Sequence, residues 1–213
     1  MSEAVLPPAS PAVPVIEVIC VTYRQDGPLR VLVQSFLNQT AANWKLQIIH
    51  DGPDPAFDEM MAAFAAGREN RITFWNTDKR YNDYGHSLRE QGLRRITGDY
   101  ILITNGDNYY VPVFVRQVTE RIMAAQPDVV LFNMVHSRGP GGRRNPRYSF
   151  FETSYRRRAI DMGSAIVRAD LARAAGFRDK GFAGDATYFE DVAVAKAGPL
   201  HIEKLEDVLF VHN

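Results

Sequence analysis

Residues 98–108, Gly-Asp-Tyr-Ile-Leu-Ile-Thr-Asn-Gly-Asp-Asn, hold the densest chemistry in this chain. The apolar run from Tyr100 to Ile103 reads as a buried strand, and it delivers Asn105, Asp107 and Asn108 to the strand's carboxyl end. In open α/β sheets, ligands bind along that edge. One carboxylate flanked by amide oxygens is a hard donor set, suited to Mg²⁺ or Mn²⁺ carrying a phosphate. Asn, Gly and Asp are also the usual turn formers, so the segment argues for chemistry only together with what surrounds it.

The elements around it must bring further residues to the same edge. Ile16 to Thr22 reads as a strand from its β-branched content. A helix follows, with Asp26 as its cap, Pro28 in its first turn and Leu29, Leu32, Val33, Phe36 and Leu37 as one apolar stripe. Leu46 to Ile49 is a second strand, ending at His50-Asp51-Gly52-Pro53. Phe57, Met60, Met61 and Phe64 give the next helix its buried face, Gly67 stops it, and Arg71 to Trp75 is a third strand. A polar loop from Asn76 to Gly85 leads into a helix through about Ile96, which Gly98 ends. Pro112 opens another helix, buried through Phe114, Val115, Val118 and Ile122, and Val129 to Met134 is a further strand.

This alternation predicts an α/β fold with a mostly parallel central sheet and helices on both faces. The pattern breaks at Ser137 to Arg147, a Gly/Pro-rich stretch that reads as irregular loop. Beyond it, Ala159 to Val167 reads as a strand, Asp170 to Ala175 as a short helix closed by Gly176, Glu190 to Lys196 as a helix and Val208 to Val211 as a closing strand. Residues 1–14, with four prolines, read as a flexible leader to one domain spanning 15–213.

A chain of 213 residues with 46% hydrophobic content can bury one substantial core. Basic and acidic residues both number 25, so no overall field draws the chain to nucleic acid or an anionic membrane. The single Cys20 sits in an apolar strand as an inert core thiol, and a chain without an internal disulfide suits a reducing cytoplasm. No apolar run approaches the roughly 18 residues needed to span a bilayer, and the amino terminus lacks the basic and apolar regions of a signal peptide. Peripheral membrane contact and a homo-oligomer stay open.

In order along the chain, Thr22-Tyr23, Ser35-Phe36-Leu37-Asn38-Gln39-Thr40, Ile48-Ile49-His50-Asp51-Gly52-Pro53, Arg89 with Gly92, Asn105-Gly106-Asp107, Gly163-Ser164-Ala165, Glu190-Asp191 and Val211-His212 resemble the motifs of family 2 glycosyltransferases. Each fragment is weak, but so many in the right order over most of the chain make a strong resemblance. It implies a single GT-A-type, Rossmann-like domain, with residues 15–110 binding a nucleotide sugar and residues 111–213 carrying acceptor and catalytic groups. It also implies an inverting transfer from a nucleotide-diphosphate sugar, a UDP-sugar by preference, to a saccharide, lipid-linked or other hydroxyl acceptor, assisted by Mn²⁺ or Mg²⁺. Two departures stand out. His50 replaces an aspartate usual in the second-strand signature, and Asn105 replaces the first carboxylate of the metal motif. The amide weakens the expected metal site or makes it lean on the nucleotide's phosphates. It also keeps open a non-catalytic nucleotide-sugar-binding or scaffold protein.

The roles the resemblance implies are specific. Asp107 would hold the metal with His212 as a second ligand, and Asn105 stands in the same motif. Asp51, Thr22 and Tyr23 would contact the nucleoside. Arg89 would pair with phosphate, as guanidinium geometry favours. Asp191 would be the base that takes the acceptor's proton, Glu190 would orient it, and Asp185 is the reserve. His86 reads as structural or sugar-contacting. Between Ser137 and Asp161 lie seven arginines against the single acid Glu152, a local basic concentration expected to draw an anionic acceptor.

Overall fold

A computed structural model describes residues 12–68, 70–138 and 144–213. Most of the expected leader, and Arg143 of the arginine-rich stretch, lie outside the described residues. Four parallel strands form one half of the sheet: β1 (Ile16–Thr22), β2 (Trp44–His50), β3 (Ile72–Asn76) and β4 (Tyr100–Asn105), ordered β3-β2-β1-β4. Thr22 is level with His50, His50 with Asn76, and Val21 with Asn105. All four carboxyl ends therefore reach one edge.

The strands are apolar on both faces because both faces are covered. Ile16, Val18 and Cys20 of β1 pack in one layer with α1 (Asp26–Leu37), α2 (Pro55–Ala65) and α4 (Phe114–Ala125). Ile19 and Val21 pack in the other with α3 (His86–Leu93), α5 (Ala169–Ala175) and α6 (Gly184–Ala195). Each layer has one tryptophan. Trp44 lies in the first, with the Arg71 guanidinium 4.5 Å over its ring, and Trp75 packs against the second, with Arg95 at 4.2 Å. The sheet and α3 approach closely at Gly92, where a Cβ would stand 2.7 Å from Ile19 Cγ2.

The second half of the sheet is mixed. β8 (Ala165–Arg168) lies antiparallel between β4 and β6 (Val129–Arg138). β9 (Ile202–His212) runs parallel to β6, and β5 (Tyr109–Tyr110) pairs antiparallel with β9. Thus β1 to β4, β6 and β9 share one direction, a mixed and mostly parallel sheet as the alternation predicts.

Several boundaries differ from the sequence reading, among them the closing strand, which begins at Ile202 and not Val208, and α3, which ends at Leu93. The stretch 137–147 is not all loop: β6 extends to Arg138 and pairs antiparallel with β7 (Arg144–Phe151). Pairing supplies the backbone partners that local propensity would not have predicted, and β7 pairs only β6, so Pro146 falls on an edge strand, where proline is tolerated. Of residues 159–167 only the end is strand. Asp161 instead caps a 3₁₀ turn, Met162–Ser164, through Gly163 N at 2.9 Å. Finally, α6 starts at Gly184, six residues before Glu190.

Candidate functional site

The carboxyl ends of β1, β2 and β4, with the loop after β3, enclose a cleft of about 370 Å³. Thr22, Tyr23, Asp51, Asn105 and Asp107 all line it, joined by Gln25, Arg80, Asn82 and Tyr84. Asp107 is half-buried and accepts a long hydrogen bond from Gln25 Nε2, 3.4 Å. Gly106 permits the tight turn between Asn105 and Asp107, since a Cβ there would lie 2.8 Å from Thr22 Oγ1. That hydroxyl is buried and, like the buried Asn108 Oδ1, has no hydrogen-bond partner among the described residues.

β9 returns the chain to this loop. Tyr109 is level with Val211 in the antiparallel β5–β9 pair, so His212 comes beside Asn108, and Asn213 Nδ2 donates to the Asp107 carbonyl at 2.7 Å. The His212 ring stacks on Phe210, and its Nδ1 is 3.4 Å from Asp161 Oδ2. Among the described residues no group of three or more His, Cys, Asp or Glu is gathered around one point. Asp107, the carboxylate of this loop that lines the cleft, would suit a hard divalent ion that takes further oxygen ligands from a bound phosphate.

Behind Asn105 lies a buried cation. Arg89, 2% exposed, donates from Nη2 to Asn105 Oδ1 and from Nη1 to Asp185 Oδ1, both at 2.9 Å. Nη1 also lies 2.9 Å from His86 Nδ1, while His86 Nε2 lies 3.0 Å from the Gly181 carbonyl. An arginine can only donate and a carbonyl only accept, so His86 is the neutral tautomer with its proton on Nε2. Burial, and then the Arg89 charge, hold its pKa below the usual histidine value. Asp185 is half exposed in the first turn of α6, where a helix favours negative charge. Both terminal nitrogens of Arg89, the expected phosphate ligand, are thus engaged by protein groups. The Asn105–Arg89–Asp185 chain was not read from the sequence. Its only signal was an acid following glycine in Gly181–Tyr188.

Asp51 and His50 organise the cleft's far wall. Asp51 accepts from Tyr81 N at 2.7 Å and Asn82 N at 3.0 Å, fastening the loop after β3. His50 donates from Nδ1 to the Gly52 carbonyl at 2.7 Å and accepts from Arg24 N at 3.3 Å. The imidazole therefore ties the end of β2 to the loop after β1. Tyr23 carries the Arg80 guanidinium 3.8 Å over its ring.

Glu190 and Asp191 lie inside α6 rather than at its start. Asp191 is paired with Arg178 at 2.7 Å and Glu190 with Arg157 at 3.5 Å. Six residues separate Asp191 from Asp185, which on a helix is about 240° of rotation and roughly 9 Å of rise.

A family model described as glycosyl transferase family 2 matches residues 17–183. Glycosyltransferase GlyA of Streptococcus pneumoniae serotype 4 (strain ATCC BAA-334 / TIGR4) is 25% identical over 118 residues, covering 55% of this chain and 16% of that protein. The S. aureus TarS 1–349 structure in complex with UDP-GlcNAc superposes with a TM-score of 0.75 at 16% identity, over 92% of this chain and 58% of that one. The mannosyltransferase PcManGT from Pyrobaculum calidifontis, in complex with GDP-Man and Mn²⁺, gives 0.67 at 14% identity, over 94% and 57%. The chain therefore spans well under two thirds of the length of these relatives. The fold they share is GT-A, and the matched residues run from the first strand to the lip of the Arg89–Asp185 cluster: this chain belongs to glycosyl transferase family 2.

Proposed function

We propose that the protein is an inverting glycosyltransferase that moves a sugar from a UDP-sugar to an acceptor hydroxyl. The observation that carries this reading is the bridge from Asn105 through Arg89 to Asp185, which joins the cleft to an accessible carboxylate. Both carboxylates are paired with an arginine. Asp185 takes the role of base ahead of Asp191 because its partner Arg89 also holds the cleft residue Asn105, whereas Asp191 lies on another side of the helix with Arg178. As the acceptor oxygen attacks the anomeric carbon from behind, its proton passes to Asp185. The new C–O bond forms while the bond to the phosphate oxygen breaks, releasing the nucleoside diphosphate. Arg89 fixes the carboxylate's direction, and neutral His86 holds Arg89 in place.

Tyr23, Thr22 and Asp51 are the nucleoside's neighbours in this reading. Asp107, with His212 opposite the next residue Asn108, would hold Mn²⁺ or Mg²⁺, which would supply charge neutralisation for the leaving diphosphate. The TarS complex with UDP-GlcNAc and the PcManGT complex with GDP-Man and Mn²⁺ support a nucleotide-sugar donor.

Asn105 favours a second reading, a non-catalytic nucleotide-sugar-binding protein, because its amide is already engaged by Arg89. Turnover across UDP-, GDP- and dTDP-sugars with Mn²⁺ separates the two. Asp185→Asn keeps the shape but removes the base, so turnover should fall about 10²-fold or more with donor affinity unchanged and the wild-type product inverted. A fully active Asp185→Asn would remove Asp185 from this role and return Asp191 to first place, and a retained anomeric configuration would overturn the inverting mechanism itself.

A further inference from the structure

Two aromatic rings stand in water beside the cleft. Phe182 is 85% exposed and Tyr84 63% exposed, and their centroids lie 5.9 Å apart with the planes crossed at 74°. A phenylalanine left in water forgoes about 1.5–3 kcal/mol of burial.

Neither ring is exposed through slackness. Tyr84 has φ 60°, a left-handed conformation that a bulky residue enters only at a cost. It sits on the loop that Asp51 fastens through the Tyr81 and Asn82 amides. Phe182 lies on a turn tied three ways. Gly181 N donates to Asp179 Oδ1 at 2.8 Å, Gly184 N donates to the Gly181 carbonyl at 3.0 Å, and that carbonyl also accepts from buried His86. Two segments far apart in sequence thus spend fixed backbone to hold bare rings together. Tyr84 lines the cleft, and Phe182 comes three residues before Asp185.

We propose that Phe182 and Tyr84 form the acceptor subsite, and that the acceptor is a pyranose. One C–H face of the sugar lies on Phe182 while a hydroxyl at its rim reaches Asp185. The inference rests on the reading of Asp185 as base. An aromatic face carries partial negative charge, and the C–H face of a pyranose ring is flat, apolar and slightly positive. An acyclic polyol offers no comparable plane.

Saturation-transfer NMR on the protein with UDP and Mn²⁺ tests this directly. The probes are methyl β-glucopyranoside, methyl β-galactopyranoside and the methyl N-acetylglucosaminide, against ribitol and glycerol. At least one pyranoside should bind, with saturation concentrated on the protons of one ring face, and the polyols should not. Phe182→Ala should weaken that binding roughly tenfold and Phe182→Trp should restore it. Since the side chain is exposed, the variants should fold. Binding by ribitol as tight as by a pyranoside, no pyranoside binding, or an unaffected Phe182→Ala would overturn the proposal. Failure of the underlying reading shows separately: absence of UDP binding in the wild-type sample would remove the donor site, and turnover that survives Asp185→Asn would remove Asp185 as base.

Discussion

Asn105, which the sequence reading sets where a carboxylate of the metal motif is expected, is neutral, and its oxygen accepts from a buried guanidinium. A carboxylate there would face Arg89 as a second anion beside Asp185, whereas the neutral amide leaves Arg89's charge directed at Asp185. The consequence falls on Asp107, the one carboxylate among residues 105–108. Asp107→Ala should lower UDP affinity in Mn²⁺ by roughly ten- to hundredfold, the worth of a lost charge-assisted contact, while leaving the weaker binding in EDTA and the thermal transition unchanged. Calorimetry that found equal affinity with Mn²⁺ and EDTA, before and after the substitution, would remove Asp107 from metal binding. At this scale the sequence was legible wherever a residue follows a strand end, because strand direction alone fixes which edge it reaches. Thr22, Tyr23, Asp51, Asn105 and Asp107 were readable for that reason. The Arg89–Asp185 pair was not, since 96 positions separate its members and nothing in local spacing links them.

Helix α3 shows how an element sets a residue. Arg89 reaches both partners because Gly92, one turn on, lets the helix lie close against Ile19 and Ile49. Gly92→Ala gains up to about 1 kcal/mol of helix propensity, but its methyl meets the branched Ile19 side chain, and overpacking a core costs about 1–3 kcal/mol. A net loss on the order of 1 kcal/mol should appear in urea denaturation as a lower midpoint with unchanged slope. A stabilised Gly92→Ala would show that α3 can lift without penalty. The β1, β2 and α1 boundaries were nearly readable, from β-branched runs and an apolar stripe. The start of α6 was not. Its first turn is Gly-Asp-Ala-Thr, poor in apolar signal, and Gly184 is there because a Cβ would lie 2.6 Å from both Asp179 O and His86 Nε2, a tertiary demand invisible in the local sequence. The β6–β7 pairing escaped for a similar reason, its partners being supplied by the sheet and not by propensity.

Across the whole molecule, strands β1, β2 and β4 are held in common by two helical layers, and no helix among the described residues is long and apolar enough to cross a membrane. Doubly covered parallel strands were predictable from uninterrupted apolar runs. The mixed half was less so, because β8 and β5 are too short to announce a direction. The placement of Trp44 in one layer and Trp75 against the other has a spectroscopic consequence. They are the chain's only two tryptophans, so Trp44→Phe and Trp75→Phe would each leave a single emitter reporting one side of the sheet. Because the layers share their strands, the two emission transitions in urea should have the same midpoint, once each variant's own stability is corrected by circular dichroism. Separate midpoints would mean that one layer can melt while the other still glows as folded.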